Sequence, residues 1–436
     1  MKKIAVAALF AVMTMSGYAQ SGTNSPYSQY GLGVLSEQSN GFNRGMNGLA
    51  LGFREHNQVN YLNPASYSAI DSLSFIFDMG VSGQITNFKE GNTKVNANNA
   101  DFEYAVGGFR VARHVGMAFG IVPFTNIGYN YASTNNLVTS SAPTSSAATT
   151  YTNTLSGDGG VHEVFLGAGW QPLKGFSFGA NIGYIWGSLN RSVVTSYSDA
   201  YVKSLARYYT ADVRSVHFNV GVQYTQHLNK KDEMTLGLTY SLGNKMTGDA
   251  VMQDISTDPQ SSQSDTTSYS IGDAYRIPHM FGVGIMYNHA NQLKVGADYS
   301  FQKWSGILYP TYISSNGQRD YVLRDGVYQN RHKFTLGGEY CYGEYDRRFL
   351  RRVKYRLGVS YATPYYKING QDGPKEYSVS AGFGIPIINS INNRSILNIS
   401  GQFVRTEATG MIKENTFRIN IGLTFNERWF AKWKVE

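Results

Sequence analysis

Apolar and polar residues alternate along most of this chain, and the alternation is clearest near its end. The stretch "TFRINIGLTFNERWF" has a large apolar residue at every second position from Phe417 to Phe425, with mostly polar or small residues between them. A period of two is typical of a β-strand with one apolar face. From Leu73 onward the pattern predicts about fourteen such strands, at 73–87, 100–112, 115–129, 160–171, 176–190, 211–227, 233–243, 276–288, 292–304, 332–343, 353–366, 375–386, 394–406 and 415–430.

The lengths of these segments and of their connections indicate the architecture. Most segments have about eleven to sixteen residues, whereas strands in soluble proteins usually have about five or six. A tilted strand that crosses a membrane needs about nine to eleven. Long and short connections alternate along most of the chain, as in outer-membrane barrels. We therefore predict an all-β fold, a transmembrane antiparallel β-barrel of about 14 strands over residues 73–430; a soluble β-fold is the alternative.

The composition supports a sheet that contacts lipid on its outer face. The chain has 32 Tyr, 23 Phe and 47 Gly, and only 16% of its residues are charged.

The polar stretch 256–268 is expected to be a mobile external loop. Aromatic residues at strand ends are expected to form girdles at the head-group level; they are Tyr129, Tyr131, Trp170, Trp304, Tyr361 and Trp429.

The first residues, "MKKIAVAALFAVMTMSGYAQ", predict a signal peptide over residues 1–19, with two Lys, a short apolar stretch and small residues before Ala19. A buried N-terminal helix is the alternative. We expect export to the cell outer membrane, with a short periplasmic tail at 431–436. The formal net charge of +8 is then expected to favour outer-membrane lipids and lipopolysaccharide, and not nucleic acid, as partners.

The residues between the signal peptide and the first strand, 20–72, are rich in Gly, Asn and Tyr. They are apolar enough to be buried, but Gly and Asn interrupt any regular helix. We predict that they form a plug, or hatch, in the lumen of the barrel. A folded periplasmic cap is the alternative.

The stretch "NRGMNGLALGFREHNQVNYLNPASYSAIDSLSF" resembles the N-terminal segment of the FadL-type outer-membrane transporters of hydrophobic compounds. "SPYSQYGLG" and "NERWF" resemble, more narrowly, a group of such proteins from Bacteroidetes-type bacteria. The resemblance implies a fourteen-stranded barrel with a lumenal hatch. It places Asn63, Pro64 and Ala65, together with Asn60 and Arg44, in that hatch.

The Asn63–Pro64–Ala65 corner also has a physical explanation. Pro64 has no N–H to donate and keeps Asn63 out of the helical region, while the Asn63 side chain can bond to nearby backbone. The corner is therefore either an anchor of the hatch or simply a loop that leads into the first strand. No set of lumenal residues matching a fatty-acid pocket is recognised, and no motif indicates a lateral opening.

The sequence indicates no catalytic residue, metal ligand or cofactor site, and we expect no enzyme. None of the 8 His residues lies in an H-E-x-x-H motif. His217 is expected to form a hydrogen bond in the lumen, and Cys341 is expected to be a passive thiol that points into the lumen. The basic run "EYDRRFLRRVKYR" is expected in a periplasmic turn, where it contacts inner-leaflet phosphates or a periplasmic partner, or is simply solvated.

Two functions are compatible with these sequence features. The first is a FadL-like channel for the passive uptake of hydrophobic small molecules, with a ligand such as a fatty acid. The alternative is a structural barrel subunit of an outer-membrane secretion or assembly complex, with protein partners in that complex.

Overall fold

The structure is a computed structural model that describes residues 22–137, 149–315, 318–387 and 395–428. The predicted signal peptide at 1–19, the predicted girdle residue Trp429 and the predicted tail at 431–436 lie outside the described residues. Across the described ranges, the helices are too short and too polar to cross a membrane.

Fourteen long strands form one closed antiparallel sheet. Each strand pairs with its neighbours in sequence, and the first and last strands pair from Ser74↔Arg428 to Lys89↔Lys413. Closure matters because it pairs backbone groups that lipid cannot satisfy. The predicted barrel is therefore confirmed, with the strands β1 Ser74–Glu90, β2 Thr93–Ala112, β3 Val115–Asn136, β4 Thr150–Leu173, β5 Phe176–Tyr197, β6 Ser204–His227, β7 Asp232–Ser241, β8 His279–His289, β9 Leu293–Lys303, β10 Arg331–Tyr340, β11 Lys354–Ala362, β12 Lys375–Ile387, β13 Ser395–Glu407 and β14 Lys413–Arg428.

The two faces of the sheet follow the alternation in the sequence. On β14, Phe417 and Ile419 are exposed on the outer face, whereas Asn420 and Thr424 are buried on the inner face. The same division into apolar outside and polar inside continues around the barrel. This arrangement suits a cylinder whose outer surface contacts acyl chains.

The barrel has one end with short turns and one end with long connections. At the short-turn end, for example, β4 and β5 are joined at residues 173–176. At the long-loop end, β3 to β6 rise above the other strands, and the hairpin Asp249–Thr257 and Ser264–Gly272 extends the sheet from β6. Further short strands lie between the barrel strands, at Val34–Leu35, Asn244–Lys245, Arg276–Ile277, Tyr309–Ser315, Gln318–Arg324, Lys367–Ile368 and Gln371–Asp372.

Several local predictions are wrong. The stretch 256–268 is not one continuous loop, because residues 256–257 and 264–268 lie in the two strands of the hairpin, which pair with each other, and only 258–263 form the turn. Trp304 is fully buried, since the chain after β9 turns inward. Tyr129 is buried too, because a β-bulge between Pro123 and Thr125 moves the following residues to the opposite face. Trp170 is exposed on the outer face, as expected.

Candidate functional site

Residues 22–72, called the N-terminal segment below, contact inward-facing residues on different sides of the wall. The segment contains the short helical stretches Pro26–Gln29, Gly41–Arg44 and Pro64–Ala69. Its hydrogen bonds reach β1, β5, β9 and β12 through the pairs Asn40–Asp78, Tyr67–Asn181, Leu51–Asp298 and Asn47–Ser378. The segment is thus largely buried and bonds to residues on several sides of the closed barrel.

The Asn63–Pro64–Ala65 corner is fully inside this arrangement. Pro64 begins a 3-10 helix, and Asn63 precedes it with extended backbone angles. The Asn63 side chain accepts a hydrogen bond from the Ala65 N–H at 3.2 Å and donates one to the Leu51 carbonyl at 2.8 Å. The side chain thus caps the helix and joins it to an earlier part of the N-terminal segment.

Glycines in the wall make room for this corner. A Cβ atom on Gly179 of β5 would lie 2.4 Å from the Pro64 carbonyl oxygen, and one on Gly221 of β6 would lie 2.1 Å from Asn63 Oδ1. Only glycine allows the backbone to approach a strand so closely. The corner therefore packs directly against the backbone of β5 and β6, where Gly179 and Gly221 leave room for it.

Asn60 and Arg44, the other predicted hatch residues, are also buried. Asn60 Nδ2 donates to the carbonyls of Ala50 at 2.6 Å and Phe53 at 2.9 Å, so it ties two parts of the N-terminal segment together. Arg44 forms an ion pair with Glu103 of β2 at 2.7 Å and donates to Asn420 Oδ1 of β14 at 3.0 Å. Asn60 and Asn63 belong together, since Ser66 Oγ contacts the carbonyls of both, at 3.0 and 2.8 Å. Arg44 contacts a different part of the wall.

Two other buried charges of the N-terminal segment, Glu37 and Arg54, differ in whether opposite charges lie near them. Burial alone would raise the pKa of the Glu37 carboxyl, but the nearby cations Lys333, Arg44 and Arg418 lower it below its usual value. Arg54 lacks such compensation: desolvation by burial lowers the pKa of its guanidinium to about 10. Arg54 donates instead to neutral partners, including Ser177 Oγ at 2.9 Å and the Ala65 carbonyl at 3.1 Å.

A second group of buried charges lies toward the short-turn end, and sequence reasoning missed it. Glu339 pairs with Arg356 at 2.7 Å and with Lys294 at 3.5 Å, and Lys294 also pairs with Glu55 of the N-terminal segment. Lys354 completes the group by pairing with Glu344 at 2.8 Å. The sequence signal that could have identified this group is the presence of opposite charges at inward positions of adjacent strands. Nothing in the sequence pattern indicated that Glu55 joins them.

His217 and Cys341 occupy the inner side, as expected. His217 Nδ1 lies 2.9 Å from Glu163 Oε1 in a buried pair. Cys341 is a buried free thiol that lies near the carbonyls of Arg351 and Arg352. Among the residues that the structure describes, no group of three or more His, Cys, Asp or Glu could hold a metal ion.

The wall has a gap that the sequence did not reveal. The ladder between β2 and β3 runs only from Ala105↔Ile121 to Ala112↔Val115. Above it, in the described part of the chain, β2 pairs only with β1, up to Thr93↔Glu90, and β3 pairs with β4. The two-residue strand Val34–Leu35 covers the β3 side of the gap, where it pairs with Asn126 and Thr125.

The first described residues lie in this gap. Gly22 is packed so tightly that a Cβ atom would lie 1.9 Å from Asp101 Oδ2 of β2 and 2.9 Å from Asn126 Nδ2 of β3. Asn24 Nδ2 donates to the Asn98 carbonyl of β2 at 3.1 Å. A cleft of about 870 Å³ passes from these residues to outer aromatic residues of the wall; its lining includes Gly22, Asp101, Asn126, His162, Tyr184 and Trp186.

The long-loop end of the lumen is filled by aromatic residues. Trp304 packs on Tyr365 with ring centroids 4.6 Å apart, and Tyr365 packs on Tyr366 at 4.8 Å. Below this layer are two cavities of about 140 and 190 Å³, and both have charged residues in their lining, including Glu37 and Arg331. The larger of the two is also lined by apolar residues such as Leu62, Phe124 and Phe165.

Comparisons with solved structures support the same fold. The Pseudomonas putida toluene transporter TodX matches with a TM-score of 0.61 and 14% identity, over 91% of this chain and 100% of that one. A Pseudomonas aeruginosa FadL homologue matches with a TM-score of 0.60 and 13% identity, over 90% and 98%. The CymD monoaromatic hydrocarbon channel matches with 0.57 and 16%, over 92% and 100%. At these identities the likeness establishes the fold alone.

Sequence comparisons give the family. A search of curated proteins finds no match. The family model described as BamG matches residues 1–436, which is the whole chain. The chain therefore belongs to the BamG family.

Proposed function

We propose that this protein is an outer-membrane channel of FadL type, through which small hydrophobic molecules pass without an energy source. The single observation that carries the proposal is that the upper parts of β2 and β3 do not pair with each other. A wall that serves only as a scaffold has no need of such a gap, because backbone groups in a strand are normally all paired. The gap provides a lateral route between the lipid-facing surface and the lumen.

The cleft is lined by charged residues, Asp101, Asp158, Asp212 and Arg214, and by aromatic residues at its outer end, and the aromatic residues support an apolar or aromatic cargo there. Tyr184 and Trp186 stack with ring centroids 6.1 Å apart, and His162 lies 6.2 Å from the Trp186 ring. Flat aromatic rings offer apolar contact area with little loss of side-chain entropy. TodX is a toluene transporter and CymD a monoaromatic hydrocarbon channel, and molecules of that class are the proposed cargo here.

In this proposal the N-terminal segment is the plug of the barrel and residues 20–72 form one functional unit. Arg44, Asn60, Asn63, Pro64 and Ala65 hold the body of the plug in place. Gly22 to Asn24 stand at the inner end of the cleft and close it. The relation to proteins of Bacteroidetes-type bacteria, and export through the signal peptide, are part of the same proposal.

Uptake measurements test the proposal. A deletion strain should take up toluene and other hydrophobic probes more slowly than the parent, and the intact gene should restore the rate. Unchanged uptake across a panel of such compounds would contradict the channel function. The expression of folded barrel should be checked in the same cells by its migration before and after heating.

A second function has its own supporting observation: buried ion pairs bind the N-terminal segment to the wall. A segment fixed in this way suits a structural subunit of an outer-membrane secretion or assembly complex. Extraction in mild detergent distinguishes the two. A stable complex with other proteins supports the structural role, whereas a monomer that retains hydrophobic ligand supports the channel.

A further inference from the structure

We propose that the connection between β10 and β11, residues 341–353, is a docking surface for anionic phospholipids of the inner leaflet. The inference uses the membrane orientation of the proposed function, in which the short-turn end faces the periplasm. It concerns a surface that is separate from the cleft, although Glu344 of this connection pairs with Lys354 of the buried charge group that contains Glu55.

This connection, called the basic turn below, has a defined structure. The Gly343 N–H donates to the Arg351 carbonyl at 3.1 Å, and the Asp346 N–H donates to the Gly343 carbonyl at 3.2 Å. Residues Phe349–Arg352 form one helical turn, and the buried residues Cys341 and Val353 lie beneath it. The side chains on the basic turn are therefore presented from an ordered backbone.

Large apolar side chains on the basic turn point into solvent. Tyr345 is 79% exposed, Leu350 is 69% exposed and Phe349 is 50% exposed. They adjoin the outer face of the barrel, where Tyr340 and Tyr355 are also exposed. The apolar surface of the strands thus continues onto the basic turn, which places Phe349 and Leu350 at the membrane boundary and not in bulk water.

The basic turn has a net positive charge, with four Arg against Glu344 and Asp346. Its acidic residues are already paired, Glu344 with Lys354 at 2.8 Å and Asp346 with Arg351 at 3.5 Å. Arg347 and Arg348 are exposed, and Asp346 also interacts electrostatically with Arg348. Two exposed guanidinium groups beside apolar residues match a phosphate group that stands above its acyl chains.

Other turns at the same end repeat this combination. Leu173 is 68% exposed beside Lys174, and Leu228 is 56% exposed near Lys230 and Lys231. Exposed leucine next to lysine thus recurs at two further turns of the short-turn end. A bilayer surface contacts separate turns of one barrel end at once, whereas a single partner protein that docks on the basic turn need not contact the others. The lipid surface is therefore the occupant that the arrangement fits.

Native mass spectrometry of the purified full chain tests the inference. The protein is transferred to mixed micelles that contain equal amounts of phosphatidylglycerol and phosphatidylcholine, and the bound lipids are counted. Wild type should retain phosphatidylglycerol in excess. Each juxtamembrane basic residue contributes a factor of about five in affinity for anionic lipid. The double variant Arg347→Gln/Arg348→Gln should therefore lower the ratio of retained phosphatidylglycerol to phosphatidylcholine by at least about fivefold.

Two further variants complete the test. Lys89→Gln/Lys94→Gln removes two exposed cations at the opposite end of the barrel and should leave the ratio unchanged. Phe349→Ser/Leu350→Ser should reduce the retention of both lipids together. Each variant is compared as folded barrel, verified by heat-modifiable migration. An unchanged ratio in Arg347→Gln/Arg348→Gln overturns the inference, as does a tightly bound protein on this turn without any lipid preference. Failure of hydrocarbon uptake would contradict the channel function and leave this ratio unaffected.

Discussion

Arg44 of the N-terminal segment and Glu103 of β2 form an ion pair at 2.7 Å, with side chains that are 2% and 8% exposed. Glu103 also accepts a hydrogen bond from Ser82 Oγ at 2.5 Å. The pair therefore joins the N-terminal segment to the β1–β2 part of the wall, immediately beside the gap. Two desolvated charges stabilise a structure only while each retains its partner.

Replacement of Arg44 by Met should destabilise the docking of the N-terminal segment. The substitution leaves the Glu103 carboxylate buried without its cation, which costs about 3–5 kcal/mol in comparable proteins. The measurement is the free energy of unfolding in urea, together with the rate of proteolysis within residues 22–72. Proteolysis of the variant should be faster than that of wild type under native conditions.

The double variant Arg44→Met/Glu103→Gln is the matched control. Removal of both charges should restore much of the lost stability, because no unpaired ion remains. Strictly additive effects of the two single substitutions would show that Arg44 and Glu103 do not interact in the folded protein.

Gly179 should be intolerant of any side chain. Gly179→Ala would place a methyl group 2.4 Å from the Pro64 carbonyl, and overpacking of this kind costs about 1–3 kcal/mol. Gly83 of β1 is the matched control, because no described atom lies within 4 Å of the position that its Cβ would take. Heat stability of the folded barrel on a gel compares the two variants. Equal loss of stability in both would contradict the close contact between Pro64 and β5.

Asn63→Ala should loosen the corner without unfolding the barrel. It removes the bonds to the Ala65 N–H and the Leu51 carbonyl, at about 1–3 kcal/mol for buried groups left unsatisfied. Hydrogen exchange at residues 65–70 should become faster, while exchange in β14 stays unchanged. Asn92→Ala, in the exposed turn between β1 and β2, should have no such effect. Unaltered exchange at 65–70 would mean that the corner is held by backbone packing alone.

The lowered pKa of Glu37 should make the stability of the folded protein depend on pH. Its pKa is lowered in the folded protein because the cations Lys333, Arg44 and Arg418 outweigh the effect of burial. Its contribution is therefore complete above the ordinary glutamate pKa of about 4.3, and it is lost as the pH falls through the lower folded value. Glu37→Gln should be less stable than wild type at neutral pH, and the difference should shrink in acid. A difference that grows in acid would contradict the assigned direction of the pKa shift.

The barrel could be predicted because lipid imposes a simple rule on every strand. Large apolar residues such as Phe417 and Ile419 must face acyl chains, so the period of two appears directly in the sequence. This rule does not apply to the parts of the strands that extend beyond the membrane. The long-loop parts of β3 to β6 are polar on both faces, and their starts and ends were missed for that reason. Tyr129 was assigned to the wrong face because a single bulge reverses the alternation.

The site was less accessible to prediction than the barrel. Asn63 and Pro64 were assigned to the hatch through the resemblance to FadL-type transporters, while their local geometry alone was equally compatible with a simple loop that leads into the first strand. The gap beside Asp101 and Asn126 depends on which strands pair and where the pairing stops, and composition does not encode this. Lys294 and Glu339 face each other directly across β9 and β10, yet their pairing follows only from the register.

The most direct test of the lateral route is a reversible lock on the gap. Gly22→Cys and Asp101→Cys, introduced together with Cys341→Ser to remove the native thiol, would join the N-terminal segment to β2 by a disulfide. We expect that the oxidised protein does not admit toluene into cells and that reduction restores uptake, while Gly22→Ser/Asp101→Ser in the same background is insensitive to oxidation. Equal uptake by the oxidised and reduced forms would contradict the lateral route.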